Sequence, residues 1–272
     1  MAPGINLSVL AHENSTTDLS TLPTKSWIST RTTPISQIHS RGATVLDPSL
    51  ITTDFDQLRF EAAAFEQLDL THQITKSDNH TDNSIGLSTD LISSPYNSPS
   101  HYLSLTPLLL HPQALILAKS LTALAPVRPD YATAPYTDAL NLPHILSLIR
   151  QFSADEGITW QRQDFFVVQF RSCLKEGIDQ DWLYKLDFES HREACEGGGL
   201  LKYWFGRSDG GRRNLATCFW HTREDAHLGG TGPWHKKARA AARELYESIV
   251  FSCHRFTVLD GAEGFEFEDW KE

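Results

Sequence analysis

From Trp160 to the C-terminus, apolar positions recur at two spacings that take turns along the chain. Residues Phe165 to Arg171 form a run of β-branched and aromatic side chains, which predicts a strand. Between Ile178 and the glycines at 197–199, Ile178, Trp182, Leu186 and Ala194 fall along one side of a predicted helix. Leu200–Phe205 and Leu215–His221 flank an Asp209-Gly210-Gly211 turn and predict a hairpin. A helix start, a Gly-rich turn and a long helix follow, with Pro233 at a first helical position. Ala238, Ala241, Leu245 and Ile249 form the inward stripe of that helix. Phe251 to Asp260 predicts the last strand, and Phe265 and Phe267, alternating with acids, predict a short edge strand.

The order βαββαβ is the ferredoxin-like split unit, an α+β fold with helices on one face of a four-stranded antiparallel sheet. The other face of such a sheet is expected to be polar. Here Phe165, Val167 and Gln169 alternate with Phe166, Val168 and Phe170, and Leu215, Thr217 and Phe219 with Ala216, Cys218 and Trp220. Both faces are apolar. A second cover is therefore required: a partner subunit, the helices upstream, or both.

Those helices are predicted over residues 107–126, with apolar positions 110, 114, 117, 121 and 124, and over 141–157, with Asn141 as cap and Gly157 as stop. A Pro-punctuated connector joins them. Residues 1–104 are rich in Ser, Thr, Asp and Asn and are expected to be largely disordered, with one short helix over Phe55–Leu70. His72 and His80 carry no functional weight there. The domain reading is a disordered region over 1–104, then a helical lead-in and ferredoxin-like domain over 105–272.

Net charge is −10, which argues against nucleic-acid binding, because phosphates need a basic face. No membrane role is expected either: the best apolar run, Leu103–Leu117, is broken by Pro107, His111 and Pro112. The N-terminus lacks a basic segment followed by an apolar one, so the expected compartment is the cytoplasm. Cys173, Cys195, Cys218 and Cys253 fall singly without a CxxC pair, which predicts buried free thiols and no metal site. No HExxH or GxSxG occurs, so hydrolase chemistry has no support.

His235 leads the candidates for chemistry. It follows Pro233-Trp234 at a helix start, where backbone N–H groups could hold an anion beside an acid/base imidazole. His221 closes a strand on a face with Thr217 and Phe219, and Arg171 ends one, where a guanidinium can orient a carboxylate. Strand-rim or ion-pair roles compete with both assignments. His254 reads as a buried structural residue; His191 and His227 are expected at the surface. Tyr203, Trp204, Trp220, Trp234 and Tyr246 would wall an apolar pocket, or equally an ordinary core. The Gly229–Gly232 turn loosely imitates a pyrophosphate-binding loop, which keeps an acyl-CoA reading open, although Pro233 removes one amide donor.

The strand ending FRS, the segment GGLLKYWFG, the segment NLATCFWHTREDA with its Trp220–Ala226 element, and GPWHKKA resemble the dimeric α/β-barrel superfamily over about Phe165–Leu259. That superfamily includes antibiotic-biosynthesis monooxygenases, haem-degrading monooxygenases and some polyketide cyclases. More narrowly, DYATAPY, GGLLKYWFG and GPWH resemble a family of fungal proteins over roughly Leu108–Trp270, a likeness that implies no particular activity. The broad resemblance implies a homodimer and a small-molecule enzyme of secondary metabolism: a cyclase, isomerase or cofactor-independent monooxygenase. His235 would be the acid/base, Arg171 and His221 the orienting groups and the tryptophans the walls. A non-catalytic ligand-binding or assembly protein of the same fold is the alternative, and a haem-using enzyme a third. No cofactor is required by the sequence, although haem would fit the resemblance.

Overall fold

The computed structural model describes residues 90–91, 93–96 and 99–271; the helix expected over Phe55–Leu70 lies outside them. The described chain starts as a small ribbon of β1 (Asp90–Leu91) and β2 (Leu103–Ser104). Part of the region expected to be solvated is thus packed: Leu91, Tyr96, His101 and Leu103 are buried. Few but large side chains suffice here, because they land on a wall of other aromatics, Tyr96 meeting Tyr184, Phe188 and Phe205.

The lead-in helices are α1 (Pro112–Leu121), the single turn α2 (Tyr136–Ala139) and α3 (Leu142–Asp155). In α1, Ala114, Leu117 and Leu121 are buried as their spacing predicts, but Leu110 precedes the helix and is 89% exposed. Asn141 precedes α3 without capping it. Its amide instead clamps the preceding turn, accepting from Ala125 N–H and donating to the Ala123 carbonyl, both at 2.9 Å.

Then come β3 (Gln163–Leu174), α4 (Gln180–Gly197), β4 (Leu200–Phe205), β5 (Arg213–Trp220), α5 (Arg223–Gly229), α6 (Pro233–Leu245), β6 (Tyr246–Val258) and β7 (Phe265–Asp269). The sheet is antiparallel in the order β4-β5-β3-β6-β7. Without the added edge strand β7, this is the ferredoxin-like order, and the α+β fold follows from it directly. The last long strand begins at Tyr246, so Ile249 belongs to β6 and not to the helix stripe.

Parity sorts the two faces. Phe166, Val168 and Phe170 of β3 lie with Ala216, Cys218 and Trp220 of β5 under α4, α5 and α6. Phe165, Val167, Gln169 and Arg171 lie with Leu215, Thr217 and Phe219 on the other face. This chain's own lead-in covers that second face. Tyr136 donates or accepts a 2.7 Å bond with Thr217 and stacks on Phe267, Tyr131 packs edge-on against Trp204, and Lys202 reaches the Thr122 carbonyl at the end of α1 at 3.4 Å. A dimer through the sheet face is therefore corrected, because that face is occupied. The open surface is the outer edge of β6. β7 pairs only with His254–Val258, and Val250 and Phe251 beyond it are 61% and 38% exposed.

On α4 the buried side runs through Leu183, Leu186, Asp187, Ser190, His191 and Ala194. The stripe is rotated from the one expected through Trp182, because polar residues occupy part of it. His191, expected at the surface, is buried. His227 is exposed, and His254 is buried, bonded to Ser252 Oγ at 2.9 Å and paired with Asp269. Cys195 and Cys218 are buried thiols, but Cys253 is exposed on the bare part of β6 and Cys173 half-buried. No helix among the described residues is long and apolar enough to cross a membrane.

Arg171 belongs to the second face. Its two terminal nitrogens donate to the carbonyls of Ala132 and Ala134, pinning the connector between α1 and α3 onto the sheet. Arg171→Met removes both charge-assisted donors and is expected to cost about 2–4 kcal/mol, read as a lower urea midpoint. An unchanged midpoint would show that the connector is held without it.

Candidate functional site: a cavity between the sheet and helices α4 to α6

A cavity of about 850 Å³ lies between the helix layer and the sheet. That is a size ordinary for small-molecule sites. Its floor is apolar: Phe166, Val168 and Phe170 of β3 with Cys218 and Trp220 of β5. Ser190, His191 and Ala194 of α4 form one wall and His235 of α6 another, while Arg223, Glu224, His227 and Arg239 also line it.

The position of His235 is fixed by one carboxylate. Glu193 on α4 accepts from the backbone N–H of Trp234 at 2.7 Å and of His235 at 3.1 Å. These are the first free amides of α6, so an internal anion sits where the helix dipole favours one. The same carboxylate meets His235 Nδ1 at 2.9 Å. Gly232 permits this approach, since a Cβ there would meet Glu193 Oε2 at 2.2 Å. The site expected to hold an external anion is thus already filled, and the pyrophosphate reading of the Gly-rich turn loses its donors.

Electrostatics assign the tautomer. Although burial alone would raise it, the Glu193 pKa lies below its ordinary value because the two amides and His235 donate to the carboxylate. Burial pulls His235 down to about 4 against the pull of Glu193, so the ring is neutral at pH 7. Ionised Glu193 then makes Nδ1 the protonated nitrogen and leaves the lone pair on Nε2, which has no partner among the described residues.

Of the other expected site residues, Tyr203 and Trp220 line the cavity. Gly229 lies flat on the Trp220 indole, where a Cβ would come within 2.4 Å of the ring, and so brings α5 down as a roof. The rest lie elsewhere. Arg171 and Trp204 are on the second face. Trp234 is on the outside of α6, near Trp182 and beneath the Lys237 ammonium at 3.8 Å. Tyr246 is buried at the start of β6. His221 stands at the end of β5 beside His111, with Nδ1 3.8 Å from Asp225. Burial lowers its pKa, and it does not reach the cavity.

Sequence reasoning missed Glu193, Ser190 and His191. Behind the wall, His191 Nδ1 meets His101 Nδ1 at 2.8 Å, one ring donating to the other. Burial holds His101 down to about 4 and His191 lower than its ordinary value. Next to them Asp187 accepts from Tyr96 and, at 2.6 Å, from Tyr203; burial pushes its carboxyl up to about 7. Among the described residues no cluster of three or more metal-binding side chains occurs.

These groups set the acid stability. His101 and His235 titrate at about 4 in the fold against an ordinary 6.5, so the unfolded chain binds more protons and stability falls as pH drops from 6.5 towards 4. Asp187 acts in the opposite sense, losing stability as pH rises from 3.8 to about 7. Asp187→Asn is therefore expected to gain about 4 kcal/mol at pH 8 relative to pH 4 and to steepen the acid decline. Urea titrations at the two pH values read this. A variant whose offset from wild type is independent of pH would show that Asp187 is ionised throughout.

A family model described as PB2B2.08-like matches residues 92–269, beginning ahead of the buried Tyr96 and His101. UPF0643 protein PB2B2.08 of Schizosaccharomyces pombe is 34% identical over 182 residues, covering 65% of this chain and 82% of that protein. Solved structures give slighter likenesses. Protein SO0527 from Shewanella oneidensis is 15% identical, with TM-score 0.31, over 35% of this chain and 93% of its own. A protein from Nitrosomonas europaea, provisionally assigned to the antibiotic biosynthesis monooxygenases, is 13% identical with TM-score 0.30 over 35% of this chain and 92% of its own. A dimeric ferredoxin-like protein from Thermobifida fusca is 12% identical with TM-score 0.27, over 35% of this chain and 92% of its own. Those scores carry no argument, and the fold rests on the strand order. The family model spans well over half of the sequence, and the chain belongs to the PB2B2.08-like family.

Proposed function

We propose that this chain is a small-molecule enzyme in which His235 moves a proton on a flat, apolar substrate seated on the cavity floor. The observation that carries the reading is the Glu193–His235 pair: Nδ1 is committed to an ionised carboxylate, and the ring lines the cavity with Nε2 still available. A histidine oriented by a carboxylate is the usual way to present a neutral imidazole as a general base. Nε2 would take a proton from a carbon beside a carbonyl, leaving the electron pair on the carbonyl oxygen as an enolate. Return of the proton at a second carbon gives an isomerase; attack of the enolate carbon on a second carbonyl gives a cyclase. Neither needs a redox cofactor.

Flat aryl ketones such as β-tetralone serve as surrogate carbon acids. The wild-type protein is expected to accelerate their hydrogen–deuterium exchange in D2O, followed by proton NMR. His235→Gln is expected to lose about 10²–10⁴ of that acceleration while the ketone still binds. Binding without accelerated exchange in the wild type would overturn the enzyme and favour a non-catalytic ligand-binding protein.

The homodimer belongs to the same reading, moved from the covered sheet face to the edge of β6. That edge exposes Val250 and Phe251, and neither Pro nor Lys lies between Glu247 and Cys253. Strands of this kind pair readily with a second copy. Val250→Lys is expected to convert a wild-type dimer into a monomer by light scattering, and a monomeric wild-type chain would remove this part of the reading.

A further inference from the structure

The cavity has a polarity that the proton-transfer reading does not use. At its inner end, Ser190 is fully buried and its Oγ has no hydrogen-bond partner among the described residues. A buried hydroxyl left unpaired is destabilising, and this one lines the cavity. At the other end the lining residues carry two guanidinium groups and one carboxylate: Arg223, Arg239 and Glu224. That local positive excess stands out in a chain with net charge −10. Arg239 is anchored, donating from Nη1 to the Gly230 carbonyl at 3.0 Å, and lies one helical turn after His235 on α6. One turn is about 5–6 Å between Cβ atoms. Arg223 is the first residue of α5 and is exposed.

We propose that the cavity's ligand is an amphipathic acid: a flat apolar body on Phe166, Val168 and Trp220, a carboxylate-like group at the mouth on Arg239 and Arg223, and an oxygen function at the inner end that accepts from Ser190. The proposal rests on the cavity as the substrate site and names the class of substrate. It also fixes the direction of entry, since desolvating the acid group at the inner end would leave it among neutral histidines without a cation. The i to i+4 spacing places the carbon that faces His235 a few bonds inward of the acid group.

Two probes of nearly equal shape test it: anilinonaphthalene sulfonate, an anion, and neutral N-phenylnaphthylamine, both followed by fluorescence. The anion is expected to bind the wild-type protein about tenfold more tightly, a difference of about 1.4 kcal/mol. The surface double variant Arg223→Gln with Arg239→Gln is expected to erase that preference and leave the neutral probe unchanged. Ser190→Ala supplies a second, independent reading. It should raise the urea midpoint of the free protein, by removing an unpaired hydroxyl, and weaken binding of a naphthol carboxylate several-fold. Val168→Trp or Ala194→Phe, each checked for native circular dichroism, fills the cavity and should abolish binding of both probes. Equal affinity for the two probes, a preference that survives loss of both arginines, or binding that survives both cavity-filling variants would overturn the proposal. The probe affinities are read on the wild-type protein and on variants that leave His235 in place, so failure of the exchange experiment alone sinks the proton transfer and not the ligand class.

Discussion

A sheet that is apolar on both faces must be covered twice, and most of this architecture answers that demand. Val167 and Phe219 on one face, and Phe166 and Val168 on the other, are all nearly inaccessible to solvent. A βαββαβ unit supplies helices for one face only. The lead-in, which a minimal unit would not need, supplies the second layer from within the same chain. Arg171 and Tyr136 then act as fasteners, since each ties the lead-in to a polar group on the sheet. Filling the second face internally leaves the bare edge of β6 as the exposed apolar part of the sheet.

The same logic operates in the helix layer. Three helices must be spaced so that they cover the sheet yet leave room over β3 and β5. Glu193 sets part of that spacing. Its carboxylate joins α4 to the first turn of α6 through two amides and an imidazole, a link that works only with Gly232 on the path. Gly229 on Trp220 sets the height of α5 by the same means, absence of a side chain. The cavity is what remains between these two contacts. A structural cap and the orienting partner of a chemical group are therefore one residue, and the helix dipole that favours Glu193 as an anion also favours the neutral form of His235, whose proton Glu193 holds on Nδ1.

Much of the fold was legible because period and punctuation agree: alternation in β3 and β5, Pro at the start of α6, Gly after α4. The site was less so, for three physical reasons. Glu193 sits among Glu189, Arg192 and Glu196, so it reads as one more charge on a solvated helix; only the fold brings α6 to it. Ser190 and His191 are polar residues on a buried stripe, and a reading based on hydrophobic period assigns such residues outward. The third reason is a bulge. Register shifts between Leu200 and Lys202, so simple alternation from Leu200 would put Trp204 over the cavity and Tyr203 on the far side. The extra residue reverses this: Tyr203 turns to Asp187 and the cavity, and Trp204 and Lys202 turn to the lead-in.

That reversal joins the polar groups of the core to the chemistry. With Tyr203 on the helix side, Asp187 gains a second phenol donor beside Tyr96; burial pushes its carboxyl up to about 7 against the pull of both donors. The His101–His191 pair next to it is neutral, because burial disfavours either imidazolium. The two imidazoles behind the cavity wall thus add no positive charge, in a region where an unpaired ion would be costly. The charges that do line the cavity belong to its arginines and Glu224, and the carboxylate of the pair that orients His235 is spent on α6. A ligand entering this space therefore meets cations at one end, an apolar floor, and neutral donors at the other, and that gradient orients it before any reaction begins.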